Sequence, residues 1–500
     1  MNNVKKSFIN ILSSFGGQIV SIALGIIIPR LTLINLGSEA NGLMNSVNSF
    51  VGYLGLLEAG VGTATIQALY RPIAEQNRDQ INGILSATDR FYKKTGSIYL
   101  AAVILASFVY MLGTSTDLSN ISVFIVVMVT GLSGVFSYWF QGKYKLLLSA
   151  EGKSYITTNL NTVVSTAISI FKIILLMAGF DIIALQLMYF VFNILQVCTM
   201  LIYIKKKYKW INLKVKPDYN AISKKKSVLV HQISFMIFRN TDNLVLTMFC
   251  GFKAVSVYAM YNMLYNMLSN ALDAFSGSIT FWLGQTYQID IEKYKKMNDL
   301  YEICSMVLGF ALYSIATVFI TPFLKLYTRG VKDISYIDKY LPFLFATIFI
   351  LQIGRSSSSQ TINFAGHFKE TRKQTIIESV INLSVSILGV KLVGIYGVLF
   401  GTIAALIYRT NDMILYSAHK LLEQSSLPTY KRWITNIVLF LVIVRFVNPL
   451  VSSLNSYFYI IVYAAVITPI VLLIFLAINI LTNIQETKIL WDYMCRRRKR

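Results

Sequence analysis

The residues with the most chemical content are charges placed inside apolar runs. Arg30 follows Pro29 at the end of one run and Glu58 lies in the next. Arg239 and Asp242 share a third, Asp273 lies in a fourth and Arg355 in a fifth, and Arg409 and Asp412 share a sixth. Lys172 and Arg445 lie nearer the ends of two more, where a long side chain can snorkel to an interface. An ionisable group in the middle of a bilayer costs several kcal/mol, so it must meet a counter-charge, a wet cavity or a ligand. Arg239 with Asp242 and Arg409 with Asp412 are spaced i,i+3, which puts each pair on one helix face and allows self-neutralised packing as well as function. Arg355 has no acidic residue within a helical turn of its own run, so its partner must come from another helix, water or an anionic ligand.

Hydroxyls and amides accompany these charges. Asn262, Asn266 and Asn270 recur every four residues and form one stripe, and Ser356–Ser359 run into Gln360. Such a stripe is costly against lipid, so it serves either as helix–helix glue or as a cavity wall. Amide and hydroxyl groups suit sugar hydroxyls, and arginine suits pyrophosphate. A wet cavity with this lining fits a large hydrophilic anion.

Other chemistries find little support. Cys198, Cys250, Cys304 and Cys495 lack CxxC spacing, and His231, His367 and His419 are scattered, so neither a disulfide framework nor a metal site is indicated. Gly152-Lys153-Ser154 matches only the end of a phosphate-binding loop, and Leu147 stands where that motif needs its first glycine. No loop is long enough to hold a catalytic domain. No enzymatic activity and no cofactor are expected; energy would come from an ion gradient, H+ or Na+, or from the substrate gradient.

The elements that must position these residues follow from composition. The 500 residues are 55% hydrophobic and only 14% charged, against roughly 25% in soluble domains. Mean hydropathy is +0.58. The chain therefore reads as an all-α integral membrane protein. A span takes about 20 apolar residues. About fourteen candidates are expected by that rule, near 8–28, 43–66, 96–113, 120–141, 156–177, 183–204, 228–249, 256–283, 302–321, 341–364, 376–392, 396–418, 433–452 and 457–481.

The net charge of +23 raises nucleic acid as a partner, but its distribution points elsewhere. Lysine and arginine gather in alternate loops: the N-terminus, 70–95, 142–155, 205–227, 285–301, 366–375, 419–432 and the tail from 482. That side is cytoplasmic by the positive-inside bias, which places both termini inside. The 205–227 segment, with nine lysines, and the Arg496–Arg500 tail are expected to contact anionic lipid.

A repeat at an offset of 214 is also visible. Gly37, Ala40 and Asn48 align with Gly251, Ala254 and Asn262, and Gly152 aligns with Gly366. The offset equals six spans. The expected organisation is an N-terminal six-helix lobe (1–204), a basic linker (205–227), a second six-helix lobe (228–418), and two further spans with a basic tail (419–500). Parallel repeats of this kind are a known transporter plan.

Three stretches resemble a known family. Ile28-Pro29-Arg30-Leu31 with Gly37 and Gly42, then Leu56-Leu57-Glu58-Ala59-Gly60-Val61-Gly62, then Asn240-Thr241-Asp242-Asn243-Leu244 with Gly251 and Tyr258, resemble the polysaccharide exporter family. That family includes Wzx-type flippases of lipid-linked oligosaccharides and shares the MOP superfamily with lipid II flippases and MATE exporters. The resemblance implies two lobes around a cationic cavity. It also implies an undecaprenyl-pyrophosphate-linked glycan (a capsule, O-antigen or other surface polysaccharide unit) as substrate, and the bacterial cytoplasmic membrane as location. A polysaccharide polymerase and glycosyltransferases would be partners. On this resemblance Arg30, Arg239 and Arg355 would bind pyrophosphate. Asn262, Asn266, Asn270, Ser357 and Gln360 would contact sugars, and Glu58, Asp242 or Asp273 would take the coupling cation. A lipid II flippase and a MATE-like cation-coupled drug exporter are the alternatives. A membrane polymerase or transferase would need catalytic residues in a larger outer loop than 321–341 provides.

Overall fold

The computed structural model describes residues 3–58, 61–222, 226–484 and 486, with side chains described from Leu24 onward except at 223–239 and at Ser278. Among the described residues the chain is helical and contains no strand. The first half runs α1 (Asn3–Leu54), a short 3-10 turn (Gly55–Glu58), α2 (Val61–Ala74), α3 (Arg78–Gly113), α4 (Asn120–Phe136), α5 (Gly142–Ala150), α6 (Ser154–Met177), α7 (Ile182–Lys207) and the one-turn α8 (Tyr219–Ile222). The second runs α9 (Lys226–Ile289), α10 (Ile291–Tyr327), α11 (Leu341–Gly354), α12 (Ser356–Ala365), α13 (Arg372–Val393), α14 (Ile395–Tyr416), α15 (Leu427–Val451) and α16 (Tyr457–Thr482). Eleven helices are long and apolar enough to cross a membrane, or twelve if Leu24–Glu58 and Val61–Ala74, bent by 45°, form one broken span; both counts apply to the described residues. The protein is therefore a multi-pass membrane protein.

Local sequence explains where the helices start. Asn77, Ser119, Asp181 and Asp290 precede α3, α4, α7 and α10, and each side-chain oxygen accepts from a backbone N–H three residues on. These caps satisfy donors that a helix leaves free at its first turn. Lys205, Lys206 and Lys207 close α7, where cations complement the helix dipole.

Two glycines turn the longest helices. Gly37 in α1 has φ 81° and ψ 177°, and Gly251 in α9 has φ 76° and ψ 177°. This region of backbone space is essentially restricted to glycine. Gly152 and Gly366 are likewise matched in φ, at 69° and 70°. Both pairs lie at the 214-residue offset, so the sequence repeat recurs as a repeat of backbone conformation.

The chain divides into two compact units, Met1–Ser256 and Val257–Arg500. In the first, Leu43 and Val47 of α1 pack with Val123, Val126 and Val127 of α4 and with Phe252. A second cluster joins Leu69, Ile81, Leu85, Leu147, Met200 and Ile204. The basic segment after α7 is fastened to this cluster. Ser86 donates to the carbonyls of Leu213 and Val215 at 3.0 and 2.9 Å, and Asn82 accepts from the Asn212 N–H at 3.0 Å. Ile211, Leu213 and Val215 are half-buried there, whereas Lys214 and Lys216 are exposed. An extended chain with period-two alternation thus keeps its lysines outward.

The second unit has an aromatic core. Tyr261 and Tyr265 of α9 stack on Phe345 of α11 with ring centroids 5.6 and 6.0 Å apart. Their hydroxyls are satisfied by the carbonyls of Tyr336 and Pro342 at 2.9 and 2.7 Å. α15 and α16 present Ile434, Leu441, Phe446, Phe458, Ile461 and Leu473 outward, an apolar face suited to lipid.

Candidate functional site

In the first unit a polar seam joins the end of α1 to residues 240–256 of α9. Asn41 Nδ2 donates to Ser256 Oγ at 2.7 Å, Ser46 Oγ bonds Thr247 Oγ1 at 2.5 Å and Tyr110 Oη at 2.8 Å, and Asn243 Nδ2 donates to Ser49 Oγ at 2.8 Å. The Tyr53 hydroxyl meets Thr241 at the end of the seam, next to Asp242, which is only 3% exposed. Backbones approach closely here. A Cβ on Gly42 would stand 1.8 Å from the carbonyl oxygen of Phe252. Arg30 is half-buried in α1. The side chain of Arg239 lies outside the described residues.

Glu58 ends the 3-10 turn after α1 and is half-buried. The Tyr92 phenol donates to it. Nearby, Lys143 reaches Asp89 at 2.5 Å while Lys93 holds the other oxygen of that carboxylate at 2.9 Å. Two lysines on one aspartate leave an excess positive charge that the nearby Glu58 offsets.

In the second unit the charges form a chain. Arg355 occupies the break between α11 and α12 and donates from Nη1 to Glu378 Oε1 of α13 at 2.8 Å. Glu378 Oε2 lies 3.5 Å from Arg409 Nε of α14, and Arg409 Nη1 bonds Asp412 one turn on. Arg409 Nη2 also donates to Thr375 at 3.2 Å. Arg409 and Glu378 are 3% and 10% exposed by side chain, whereas Arg355 and Asp412 are each 19% exposed, so the middle of the chain is buried and both its ends are partly accessible. Two guanidiniums and two carboxylates balance, which is how buried ions are kept at tolerable cost.

The other expected site residues separate into two groups. Ser357 Oγ donates to Asn298 Oδ1 at 2.9 Å, and Gln360 Nε2 donates to Tyr301 Oη at 2.8 Å, so both tie α12 to α10. Asn262 and Asn266 are half-buried, with Asn266 Nδ2 donating back to the Asn262 carbonyl at 2.9 Å. Asn270 and Asp273, further along the same helix, are exposed. Exposed amide and carboxylate groups on a spanning helix call for a water-lined surface.

Sequence reasoning missed Glu378, Glu302 and Arg432. Each stands close to the edge of an apolar run, where a charge reads as a loop residue. Glu378 could have been found as the only acidic residue in the run that follows Arg355. Among the described residues no group of three His, Cys, Asp or Glu is placed to hold a metal ion.

No protein-family model matches the sequence, and no curated protein does. Solved structures do. The chain is similar to the lipid II flippase MurJ in an inward closed conformation, with 15% identity and a TM-score of 0.65 over 95% of this chain and 99% of that one. It is similar to an inward-facing multidrug resistance MATE transporter of the MOP superfamily, with 14% identity and a TM-score of 0.62 over 79% of this chain and 94% of that one. A MOP superfamily transporter from Pyrococcus furiosus, described by a binding pocket of reverse polarity, aligns with 13% identity and a TM-score of 0.55 over 84% of this chain and 97% of that one. The chain shares the fold of these transporters.

Proposed function

We propose that the chain is a flippase for an undecaprenyl-pyrophosphate-linked oligosaccharide in the bacterial cytoplasmic membrane. The observation that carries this reading is the extent of the structural likeness. The lipid II flippase aligns with 95% of this chain, whereas the MATE transporter leaves about a fifth of it unmatched. A lipid-linked glycan is the substrate class that goes with the fuller match. On this reading fourteen spans form two six-helix lobes and a final pair, α15 and α16, and both termini are cytoplasmic. Arg30, Arg239 and Arg355 bind pyrophosphate. The stripe Asn262, Asn266 and Asn270, with Ser357 and Gln360, contacts sugars. Glu58, Asp242 or Asp273 takes H+ or Na+ to reset the lobes, and the lysines of 205–227 sit on anionic lipid.

A second reading, lipid II as the substrate, is favoured by the likeness to that same lipid II flippase. The two separate in one assay. Purified protein in proteoliposomes receives either a fluorescent undecaprenyl-pyrophosphate oligosaccharide or lipid II, and the fraction crossing to the far leaflet is measured. Movement of the oligosaccharide carrier alone supports the first reading, movement of lipid II alone replaces it with the second, and movement of neither removes both.

A further inference from the structure

A polar pocket in the second unit lies apart from the Arg355 chain. It occupies about 230 Å³ between α10, α12, the end of α14 and the start of α15. Its wall includes Asn298, Asp299, Glu302, Ser358, Thr429 and Glu486. Arg432 of α15, 1% exposed, holds three carboxylates together: Asp299 at 2.9 Å, Glu302 at 3.1 Å and Glu486 at 3.6 Å. Three carboxylates against one guanidinium leave the group net negative.

The carboxylate of Glu302 is only half satisfied. Its Oε2 receives Arg432 at 3.1 Å and the Thr429 hydroxyl at 3.2 Å. Its Oε1 is buried and has no hydrogen-bond partner among the described residues, although Glu302 lines the pocket and is 5% exposed. An unpaired buried carboxylate oxygen costs its full desolvation, so an acceptor left open toward a cavity marks where a donor belongs.

We propose that this pocket binds a primary ammonium group, with Glu302 Oε1 as its principal acceptor. The competing cation, a dehydrated metal, fits poorly. Among the described residues no three His, Cys, Asp or Glu side chains are grouped so as to hold a metal, the three carboxylates here converging on Arg432 instead, and the pocket is many times the roughly 15 Å³ that one water needs. An ammonium carries three N–H donors and no acceptor. Glu302 Oε1, the partly exposed carboxylate of Asp299 and the hydroxyl of Ser358 offer it oxygen partners. A trimethylammonium has the same charge without the N–H groups, so the site should discriminate between them.

The ammonium can come from an aminophospholipid headgroup or from a soluble amine. Full-length protein in detergent is titrated with ethanolamine or choline while thermal unfolding is followed. In parallel it is exchanged with vesicles of phosphatidylethanolamine or phosphatidylcholine, and retained lipid is counted by native mass spectrometry. The expected result is a preference for the primary amine over its trimethyl counterpart in at least one arm, by about tenfold, the size of one charge-assisted hydrogen bond. Preference in the vesicle arm identifies a lipid headgroup, and preference in the ethanolamine arm alone identifies a soluble amine. Glu302→Gln should abolish the preference. Because that change also weakens the Arg432 cluster, Ser358→Leu, which fills the pocket and leaves Glu302 and Arg432 intact, should abolish it independently. Equal response to both cations in both arms, or a preference that survives Ser358→Leu in folded protein, overturns the proposal.

Discussion

Arg355 Nη1 donates to Glu378 Oε1 at 2.8 Å, and this bond pins the break between α11 and α12 to α13. The partner Arg355 requires is thus on another helix, and the same carboxylate lies 3.5 Å from Arg409. Removing Glu378 leaves two guanidiniums facing one remaining carboxylate. Breaking a buried pair by deleting one partner typically costs about 3–5 kcal/mol. Glu378→Ala should therefore lower the unfolding temperature strongly, as read by thermal unfolding of the purified protein in detergent. Arg355→Ala should cost less, since its side chain is 19% exposed against 10% for Glu378. The exchange Arg355→Glu with Glu378→Arg restores the first pair but sets guanidiniums side by side at 378 and 409, so it should recover only part of the stability. If the exchanged protein also exports glycan at the wild-type rate, Arg355 does not bind the substrate.

The matched turns at Gly37 and Gly251 make a second prediction. Each has φ near +80° with ψ 177°, a conformation costly for any residue with a Cβ. Gly37→Ala and Gly251→Ala should each lower stability by about 1–3 kcal/mol. The effects should be of similar size at the two positions, because the conformations are. A loss at one position and none at the other, measured by thermal unfolding, would contradict their equivalence.

These glycines also show what could be read from sequence. Gly37 with Gly251 and Gly152 with Gly366 could be aligned by offset alone, because a positive φ favours glycine at the same place in both repeats. The apolar runs were readable for a similar reason: a spanning helix has to be long and apolar whatever it packs against. The Arg409–Asp412 pair was legible because it is local, one helical turn apart. Glu378, Glu302 and Arg432 were not. Their partners come from helices tens to more than a hundred residues away, and their position at the margins of apolar runs made them look like loop charges. The fastening of Leu213 and Val215 over Ser86 was hidden by the lysines around them, which dominate the composition of that segment while pointing away from the contact.

The seam between α1 and α9 gives a third prediction. A Cβ on Gly42 would meet the Phe252 carbonyl at 1.8 Å, whereas a Cβ on Gly113 would meet nothing within 4 Å. Gly42→Ala should destabilise by about 1–3 kcal/mol through overpacking against backbone. Gly113→Ala should be neutral or gain up to about 1 kcal/mol from helix propensity. The unfolding temperatures of the two variants should move apart, and a shared direction of shift would show that the close approach does not constrain the fold.

The fourth prediction concerns water. Asn270 and Asp273 are exposed on the spanning stretch Asn240–Gly277, and so is Met248. Exposure alone does not separate lipid from water, but chemistry does: an amide and a carboxylate facing hydrocarbon would each be paid for in desolvation, while a thioether would not. Cysteine placed at each position reports the difference. Cys198, Cys250, Cys304 and Cys495 are first replaced by serine, and single cysteines are then introduced as Asn270→Cys, Asp273→Cys and Met248→Cys. A charged, water-soluble thiol reagent reacts only where water can ionise the thiol, since the thiolate is the nucleophile. Positions 270 and 273 should label in inverted or right-side-out vesicles and position 248 should not. If 248 labels as fast as 270, the asparagine stripe does not mark a wet surface, and its role reverts to holding helices together. If 270 and 273 label alone, and lipid-linked glycan slows both reactions, the stripe lies where the sugar passes.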